Sequence, residues 1–217
     1  MRSNGREGAV IEEQADHYVK QTYRNRCIIA GDDGPIALTV PVSAPLLLPD
    51  GTKPIGISKT PMHSVLVSEH GGWRHQHWQA IVSAYQSSPY FEYYADELYA
   101  IYFRSLTAEE EARGGMLLVD FNTALRDWVL DALNLQPHID VNRQRYIDPS
   151  VAASGTDFRE TIRPKIPYDF DPTFCPAPYY QVFAARHGFT PNLSIVDLLF
   201  NMGPESRIIL RNSIVAG

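Results

Sequence analysis

The sequence of 217 residues contains 44% hydrophobic and 20% charged residues, enough for one domain with a buried core and unlike a disordered chain. Its 19 Lys+Arg and 25 Asp+Glu give a net charge of −6, which disfavours a uniformly basic nucleic-acid binder but leaves room for a local basic patch. No apolar run approaches the ~18 residues of a membrane span, and the first twenty residues lack a signal-peptide core, so we predict a cytoplasmic protein.

The first third of the chain is predicted to form short strands. Residues 9–13 suggest one strand, and residues 18–30 and 36–42 flank the turn sequence Gly31–Pro35. These two runs are rich in ring and β-branched side chains, so they predict an antiparallel hairpin with a loop longer than two residues. Prolines and glycines predict a loop over residues 43–63, and residues 64–68 predict another strand.

Helical periodicity begins at Trp73. Trp73, His77, Ile81 and Tyr85 recur every four residues, and the helix they predict ends at residues 87–89. Further helices are predicted over residues 91–104, 120–135, 180–187, 194–202 and 205–212. Asp120 and Ser194 are the expected N-caps of two of them, and residues 107–115 suit an exposed turn.

These elements predict a mixed α/β fold in a single domain over residues 1–217. We expect the N-terminal antiparallel β-hairpin to lie in a small mixed sheet, which C-terminal helices and proline-rich loops cover.

Three cations dominate the strand predicted over residues 17–29. Lys20, Arg24 and Arg26 would share one face, and no acidic residue occurs from His17 through Ala30. A phosphate or carboxylate ligand would relieve their repulsion, since a planar guanidinium binds two oxygens at once. A solvated face, or ion pairs with distant acids such as Asp157, would relieve it equally well.

Polar groups elsewhere extend this candidate site. Gln21 and Asn25 would lie on the opposite face of the strand, either in a buried network or at the rim of a cleft. Asp157, Arg159 and Lys165 occupy a proline-rich segment, where they either contribute to a site or hold the loop by an ion pair.

His77 lies on the aromatic face of its helix. It is interpreted either as a hydrogen-bonded, partly buried histidine or as a general base at the edge of a cleft. His70, His75 and His77 lack the spacing of a helical zinc pair, and there is no Cys-x-x-Cys, so we predict neither a metal nor a cofactor.

The sequence gives little support to a cysteine-dependent enzyme, a nucleotide-binding protein or a serine hydrolase. Cys175 and His187 would form a nucleophile–base pair only if the fold brought them together. Gly-x-Gly-x-x-Gly, P-loop and Gly-x-Ser-x-Gly motifs are missing from the sequence, which removes the common nucleotide-binding and hydrolase interpretations.

Several strings, in this order, resemble the WbqC-like protein family. They cover nearly the whole chain: K-Q-T-Y-R-N-R (20–26), L-T-V-P-V (38–42), H-W-Q-A-I-V-S-A-Y (77–85), S-P-Y-F-E-Y-Y (88–94), D-F-N-T-A-L (120–125) and N-L-S-I-V-D-L-L-F-N-M-G-P (192–204). Members of this family usually carry a Tyr-Leu-Pro-like beginning upstream of the acidic strand, so we expect either that the start of this sequence is misplaced or that the N-terminal family segment is missing.

The resemblance implies a role in bacterial surface-polysaccharide (O-antigen) biosynthesis, because members are encoded in such gene clusters. Attachment of an amino acid such as glycine to a sugar has been proposed for one branch. We therefore expect an acyl or aminoacyl transferase whose partner is a phosphorylated or nucleotide-linked sugar. Nucleic acid would enter only as an aminoacyl-tRNA donor. The alternative is a non-catalytic protein of the same pathway that binds an anionic glycan or a partner.

In the transferase, His77 would be the base that deprotonates a sugar amine and Asp157 would orient it. The expected substrate-binding residues are Lys20, Gln21, Arg24, Asn25, Arg26, Arg159 and Lys165.

Overall fold

The computed structural model describes residues 10–148, 157–159 and 161–215, and it confirms the mixed α/β fold. Across these ranges the strands form three two-stranded sheets. The strands are β1 (Val10–Glu13), β2 (Arg26–Ile29), β3 (Ile36–Thr39), β4 (Val42–Ser43), β5 (Leu66–Val67) and β6 (Ile139–Asn142).

The three sheets pair strands from different regions of the chain. β2 and β3 pair antiparallel from Arg26 opposite Thr39 to Ile29 opposite Ile36, which confirms the predicted hairpin. β4 pairs antiparallel with β5. β1 pairs in parallel with β6, so the N-terminal strand lies beside a segment that follows the first four helices.

The helices follow the predicted order. They are α1 (Trp73–Tyr85), α2 (Phe91–Phe103), α3 (Ala108–Arg113), α4 (Leu118–Ala132), α5 (Ala184–His187), α6 (Ile195–Met202) and α7 (Ser206–Asn212). The predicted boundaries of α1, α2, α6 and α7 agree with the structure to within about two residues.

Two predictions about helix starts are wrong. The segment predicted as an exposed turn contains α3, because Thr107 and Glu110 form a reciprocal capping box. The next helix, α4, begins at Leu118 instead of after Asp120. The backbone N–H of Leu118 donates to the carbonyl of Val65 at 2.8 Å, and this bond satisfies one of the amides that a helix start leaves without an intrahelical partner.

The core lies between the helices and the hairpin. Tyr85, Phe121, Leu199 and Phe200 are among its most deeply buried side chains. Phe200 contacts the rings of Tyr85 and Phe91 at centroid distances of 5.1 and 5.2 Å, so α6 packs against both α1 and α2. Within the described ranges, no helix is both long enough and apolar enough to cross a membrane.

Candidate functional site

The short acidic segment Glu12–Asp16 gathers arginines from four distant parts of the chain. Its side chains bind one guanidinium each: Glu12 binds Arg126, Glu13 lies 3.7 Å from Arg159, Gln14 accepts a 2.7 Å hydrogen bond from Arg143, and Asp16 binds Arg24 at 2.5 Å. β1 leads into this segment, and the parallel pairing of β1 with β6 carries Arg143 to Gln14.

Backbone hydrogen bonds fix the same segment against the chain around Met62. The N–H of Met62 donates to the carbonyl of Asp16 at 2.8 Å, and the N–H of His63 donates to that of Gln14 at 3.0 Å. These two bonds hold Met62 and His63 beside the acidic segment.

Arg24 is the central cation of this arrangement. It lies in a 3₁₀ turn, Tyr23–Asn25, whose N-cap is Thr22. Its Nη2 donates to Asp16 at 2.5 Å, whereas its Nη1 is buried and has no hydrogen-bond partner among the described residues. Burial lowers the pKa of Arg24, Asp16 opposes this change, and the charges of Arg163 and Arg159 lower the pKa further. Arg24 is therefore a partly desolvated cation whose Nη1 hydrogen-bond donors are unsatisfied among the described residues.

Four guanidinium groups lie within electrostatic range of Arg24 or its neighbour Tyr18. We call Arg24, Arg26, Arg159 and Arg163 the arginine cluster. Burial raises the pKa of the Tyr18 hydroxyl, and the charges of Arg26 and Arg24 oppose this rise, so both cations lie near that phenol. Arg26 also donates from Nε to the hydroxyl of Thr39 at 3.0 Å.

Asp157 holds Arg159 in a fixed orientation. Its carboxylate accepts two hydrogen bonds of 3.0 Å from Nε and one of 2.5 Å from Nη2, and Nη1 donates to the carbonyl of Ile147 at 2.8 Å. The hydrogen bonds from Arg159 also hold the pKa of Asp157 below its ordinary value. The position of Asp157 thus suits a residue that positions Arg159.

An open groove of about 920 Å³ lies along β6, with Asp140, Arg143 and Ile147 among its lining residues. The side chain of Arg143 donates to Gln14, and the carbonyl of Ile147 accepts a hydrogen bond from Arg159, so one lining residue contacts the acidic segment and another contacts the arginine cluster. No group of three or more His, Cys, Asp or Glu side chains in the described ranges could hold a metal ion.

The prediction of one continuous strand over residues 17–29 is wrong, and with it the shared face of Lys20, Arg24 and Arg26. Gln21 adopts a positive φ of 59°, and Thr22 donates to the carbonyl of Val19 at 2.8 Å, so the chain turns before β2 begins. Lys20 and Gln21 are exposed on that turn. Arg24 and Arg26 both still approach Tyr18.

The remaining predicted binding residues have separate places. Asn25 is buried, and its amide donates to the carbonyl of Val40 at 2.7 Å, which ties the turn to the hairpin. Lys165 is exposed. Arg159 lies within electrostatic range of Arg24, although the sequence places the two in different regions.

The structure holds His77 and Asp157 by different partners. His77 is buried in α1, packs on Trp73 at a centroid distance of 5.0 Å, and forms a hydrogen bond with the backbone of Thr39. Burial lowers its pKa, and its Nδ1 has no partner among the described residues. Asp157 is engaged with Arg159, so the described contacts do not join the two into an acid–base pair.

The described contacts do not join Cys175 to His187 as a nucleophile–base pair. The backbone N–H of Cys175 donates to Ser213 at 2.8 Å, while the His187 ring contacts the carbonyl of Asp32.

Sequence reasoning missed the acidic segment itself and the His63–Ser64 pair beside it. The first left a readable signal, because E-E-Q-A-D (12–16) has four acceptor side chains in five residues and precedes residues 17–30, which carry three cations and no acidic residue. The second left none, since adjacent His and Ser residues have no diagnostic spacing.

Comparison with known proteins places the chain in a family. A sequence model described as the WbqC-like protein family matches residues 9–154 and 139–209, which together span nearly the whole chain. Searches of curated proteins and of solved structures gave no match. The family match agrees with the resemblance carried by the ordered sequence strings, and the chain belongs to the WbqC-like protein family.

Proposed function

We propose that this protein is a transferase of surface-polysaccharide biosynthesis. It binds a phosphorylated or nucleotide-linked sugar through the arginine cluster and transfers an acyl or aminoacyl group, such as glycine, to an amine of that sugar. Membership of the WbqC-like family is consistent with a protein associated with a polysaccharide pathway.

The buried Nη1 of Arg24 carries the proposal. A buried donor without a partner costs about 1–3 kcal/mol, and more when the group is charged. Asp16 satisfies only one side of this guanidinium, and nearby Arg159 and Arg163 add repulsion. The oxygens of a phosphate would accept hydrogen bonds from Nη1, and its negative charge would offset the repulsion among these arginines.

The surroundings of Arg24 also suit a sugar phosphate. Arg159 is pre-oriented by Asp157, so it loses little conformational freedom when it contacts an anion. The groove offers space beside Arg143 for the rest of the ligand, and the carbonyl of its lining residue Ile147 binds Arg159. An anchored phosphate would bring the sugar amine to a defined place for transfer.

Binding measurements test the anion site. Calorimetry with inorganic pyrophosphate and with a panel of nucleotide sugars compares the wild type with Arg24→Ala, which we expect to bind about 10- to 100-fold more weakly. Arg186→Ala is the matched control, because Arg186 is an exposed arginine paired with Asp32. Equal affinity of folded Arg24→Ala and the wild type would refute the site.

A non-catalytic binding protein of the same pathway is the second candidate. It is favoured by the separate partners of His77 and Asp157, which leave the expected acid–base pair unassembled. Thermal-shift screening with nucleotide sugars and activated acyl donors, followed by mass spectrometry, separates the two. Formation of an N-acylated sugar supports the transferase, and stabilisation without product supports the binding protein.

A further inference from the structure

His63 and Ser64 form a hydrogen-bonded pair beside the acidic segment. Nδ1 of His63 lies 3.0 Å from Oγ of Ser64, in a 3₁₀ turn spanning Met62–Ser64. Ser64 is buried, whereas His63 is partly exposed, so the hydroxyl is a fixed partner and the ring reaches towards solvent.

This pairing can set the tautomer of the ring. When Oγ of Ser64 accepts a hydrogen bond from Nδ1–H, the lone pair of the neutral imidazole lies on Nε2. Burial lowers the pKa of His63, and the charge of Arg143 lowers it further. A hydrogen bond to the backbone of His63 itself opposes this change. The ring is therefore largely neutral near pH 7, as a general base must be.

The location of the pair connects it to the arginine cluster. The N–H of His63 donates to the carbonyl of Gln14, whose side chain binds Arg143, and the preceding N–H of Met62 donates to Asp16, the partner of Arg24. Arg143 in turn lies 3.7 Å from Asp120. These are the charged groups that the described contacts place around His63, and the acidic segment links them to Arg24 and Arg159.

We propose that His63 is the proton-accepting group of this site and that Ser64 is its positioning residue. This inference rests on the proposed transferase function and supplies the base that buried His77 does not offer.

In the reaction, the sugar amine nitrogen attacks the carbonyl carbon of an activated acyl ester or thioester. The N–C bond forms, the amine proton passes to Nε2 of His63, and the bond from the carbonyl carbon to the oxygen or sulfur of the leaving group breaks. His63 then gives its proton to the departing alkoxide or thiolate, so no oxidant or metal is consumed.

The first test is the protonation of the His63 ring, followed by nitrogen-15 NMR as pH is varied, with and without inorganic pyrophosphate. We expect the Nδ1–H tautomer and a rise in the His63 pKa when pyrophosphate binds, because an anion nearby favours the imidazolium. Ser64→Ala should shift the population towards the Nε2–H tautomer. A dominant Nε2–H form in the wild type, or no response to pyrophosphate, would overturn the assignment.

The second test is turnover of an amino sugar nucleotide with an aminoacyl thioester. His63→Gln should lower kcat by about 100-fold or more, while its affinity for pyrophosphate stays within about twofold of the wild type. Ser64→Ala should lower kcat less and move the acid limb of the pH profile. His70→Gln, at an exposed histidine, is the matched control.

These readouts separate the two proposals. Retained turnover in folded His63→Gln refutes His63 as the base and leaves the transferase function standing. If the wild type binds pyrophosphate, gives no product with any acyl donor and still shows the rise in pKa, the transferase function fails while the place of His63 at the anion site is supported.

Discussion

Tyr85 of α1 donates a 2.9 Å hydrogen bond to Oδ2 of Asp197 in α6, deep in the core. The same hydroxyl accepts the N–H of Ala30 at 3.0 Å, so one side chain links α1, α6 and the end of β2. Tyr179 and Gln181 donate to the other carboxylate oxygen at 2.7 and 3.1 Å. Burial raises the pKa of Asp197 and these donors oppose the rise. The network makes a buried carboxylate tolerable by hydrogen-bonding it on both sides.

Tyr85→Phe should lower the free energy of unfolding by about 1–3 kcal/mol, because it leaves Oδ2 of Asp197 and the N–H of Ala30 without their partner. Urea denaturation at pH 7 measures the loss. Tyr93→Phe is the control, since Tyr93 is 74% exposed. Equal stability of the two variants would show that the hydrogen bonds of Tyr85 make no net contribution to the free energy of unfolding.

Glu110→Gln should destabilise the protein at neutral pH and lose this effect in acid. Glu110 accepts 2.8 and 2.6 Å hydrogen bonds from Arg104 and a 2.8 Å bond from the N–H of Thr107. The hydrogen bond from Arg104, the largest contribution, lowers the pKa of Glu110 from 4.5 to about 2. A depressed carboxyl pKa stabilises the fold above the unfolded-state pKa, and this contribution disappears as pH falls through the folded-state value.

We expect a difference of about 1–2 kcal/mol between Glu110→Gln and the wild type at pH 7, shrinking steadily below pH 4.5. Urea titrations at a series of pH values measure it. Glu109→Gln, on the exposed side of the same helix, controls for the loss of charge. A difference that stays constant down to pH 3 would contradict the assigned pKa.

Local patterns account for the elements that the sequence predicts well. Trp73, His77, Ile81 and Tyr85 form one face of α1 because a four-residue period requires only neighbouring turns. The turn at Gly31–Pro35 likewise defines the hairpin locally. The start of α3 was also readable, since Thr107 and Glu110 have the spacing of a capping box, but the charges around them suggested an exposed turn.

The candidate site depends on pairings that no local pattern contains. The chemistry of Arg24 and Arg159 predicts that both bind an anion, and the structure holds them through Asp16 and Glu13 of the same segment. The strand that was expected to align Arg24 with Lys20 is broken because Gln21 takes a left-handed conformation. Parallel pairing of β1 with β6 joins segments separated by helices α1 to α4, and a single sequence carries no register for such a pair.

His77→Gln should reduce stability by about 1–3 kcal/mol and flatten its pH dependence. The buried ring packs on Trp73 and Tyr102, and burial lowers its pKa below 6.5. With a depressed histidine pKa, the unfolded chain takes up the proton first, so stability is complete above pH 6.5 and is lost as pH falls towards the folded-state value. Urea titrations between pH 8 and 5 measure both effects, with exposed His75→Gln as control. A variant with an unchanged pH slope would show that His77 is not the group responsible.

Asp16→Asn should strengthen anion binding while it weakens the fold. Asp16 occupies one side of Arg24, so it competes with any phosphate for that guanidinium. Without the carboxylate, Arg24 loses the counter-charge of Asp16 while the charges of Arg159 and Arg163 still act on it, so a diphosphate can take the place of Asp16. We expect about tenfold tighter binding of inorganic pyrophosphate, a steeper dependence on salt, and a loss of about 1–3 kcal/mol in stability.

Calorimetry at 50 and 300 mM salt, with urea denaturation in parallel, measures these changes. Asp32→Asn is the matched control, because it frees exposed Arg186 in the same way at a distance from the site. Weaker binding by folded Asp16→Asn would mean that the carboxylate orients Arg24 for the ligand, and unchanged binding would mean that phosphate does not reach Arg24. Tighter binding would identify Asp16 as the internal anion that a sugar phosphate displaces.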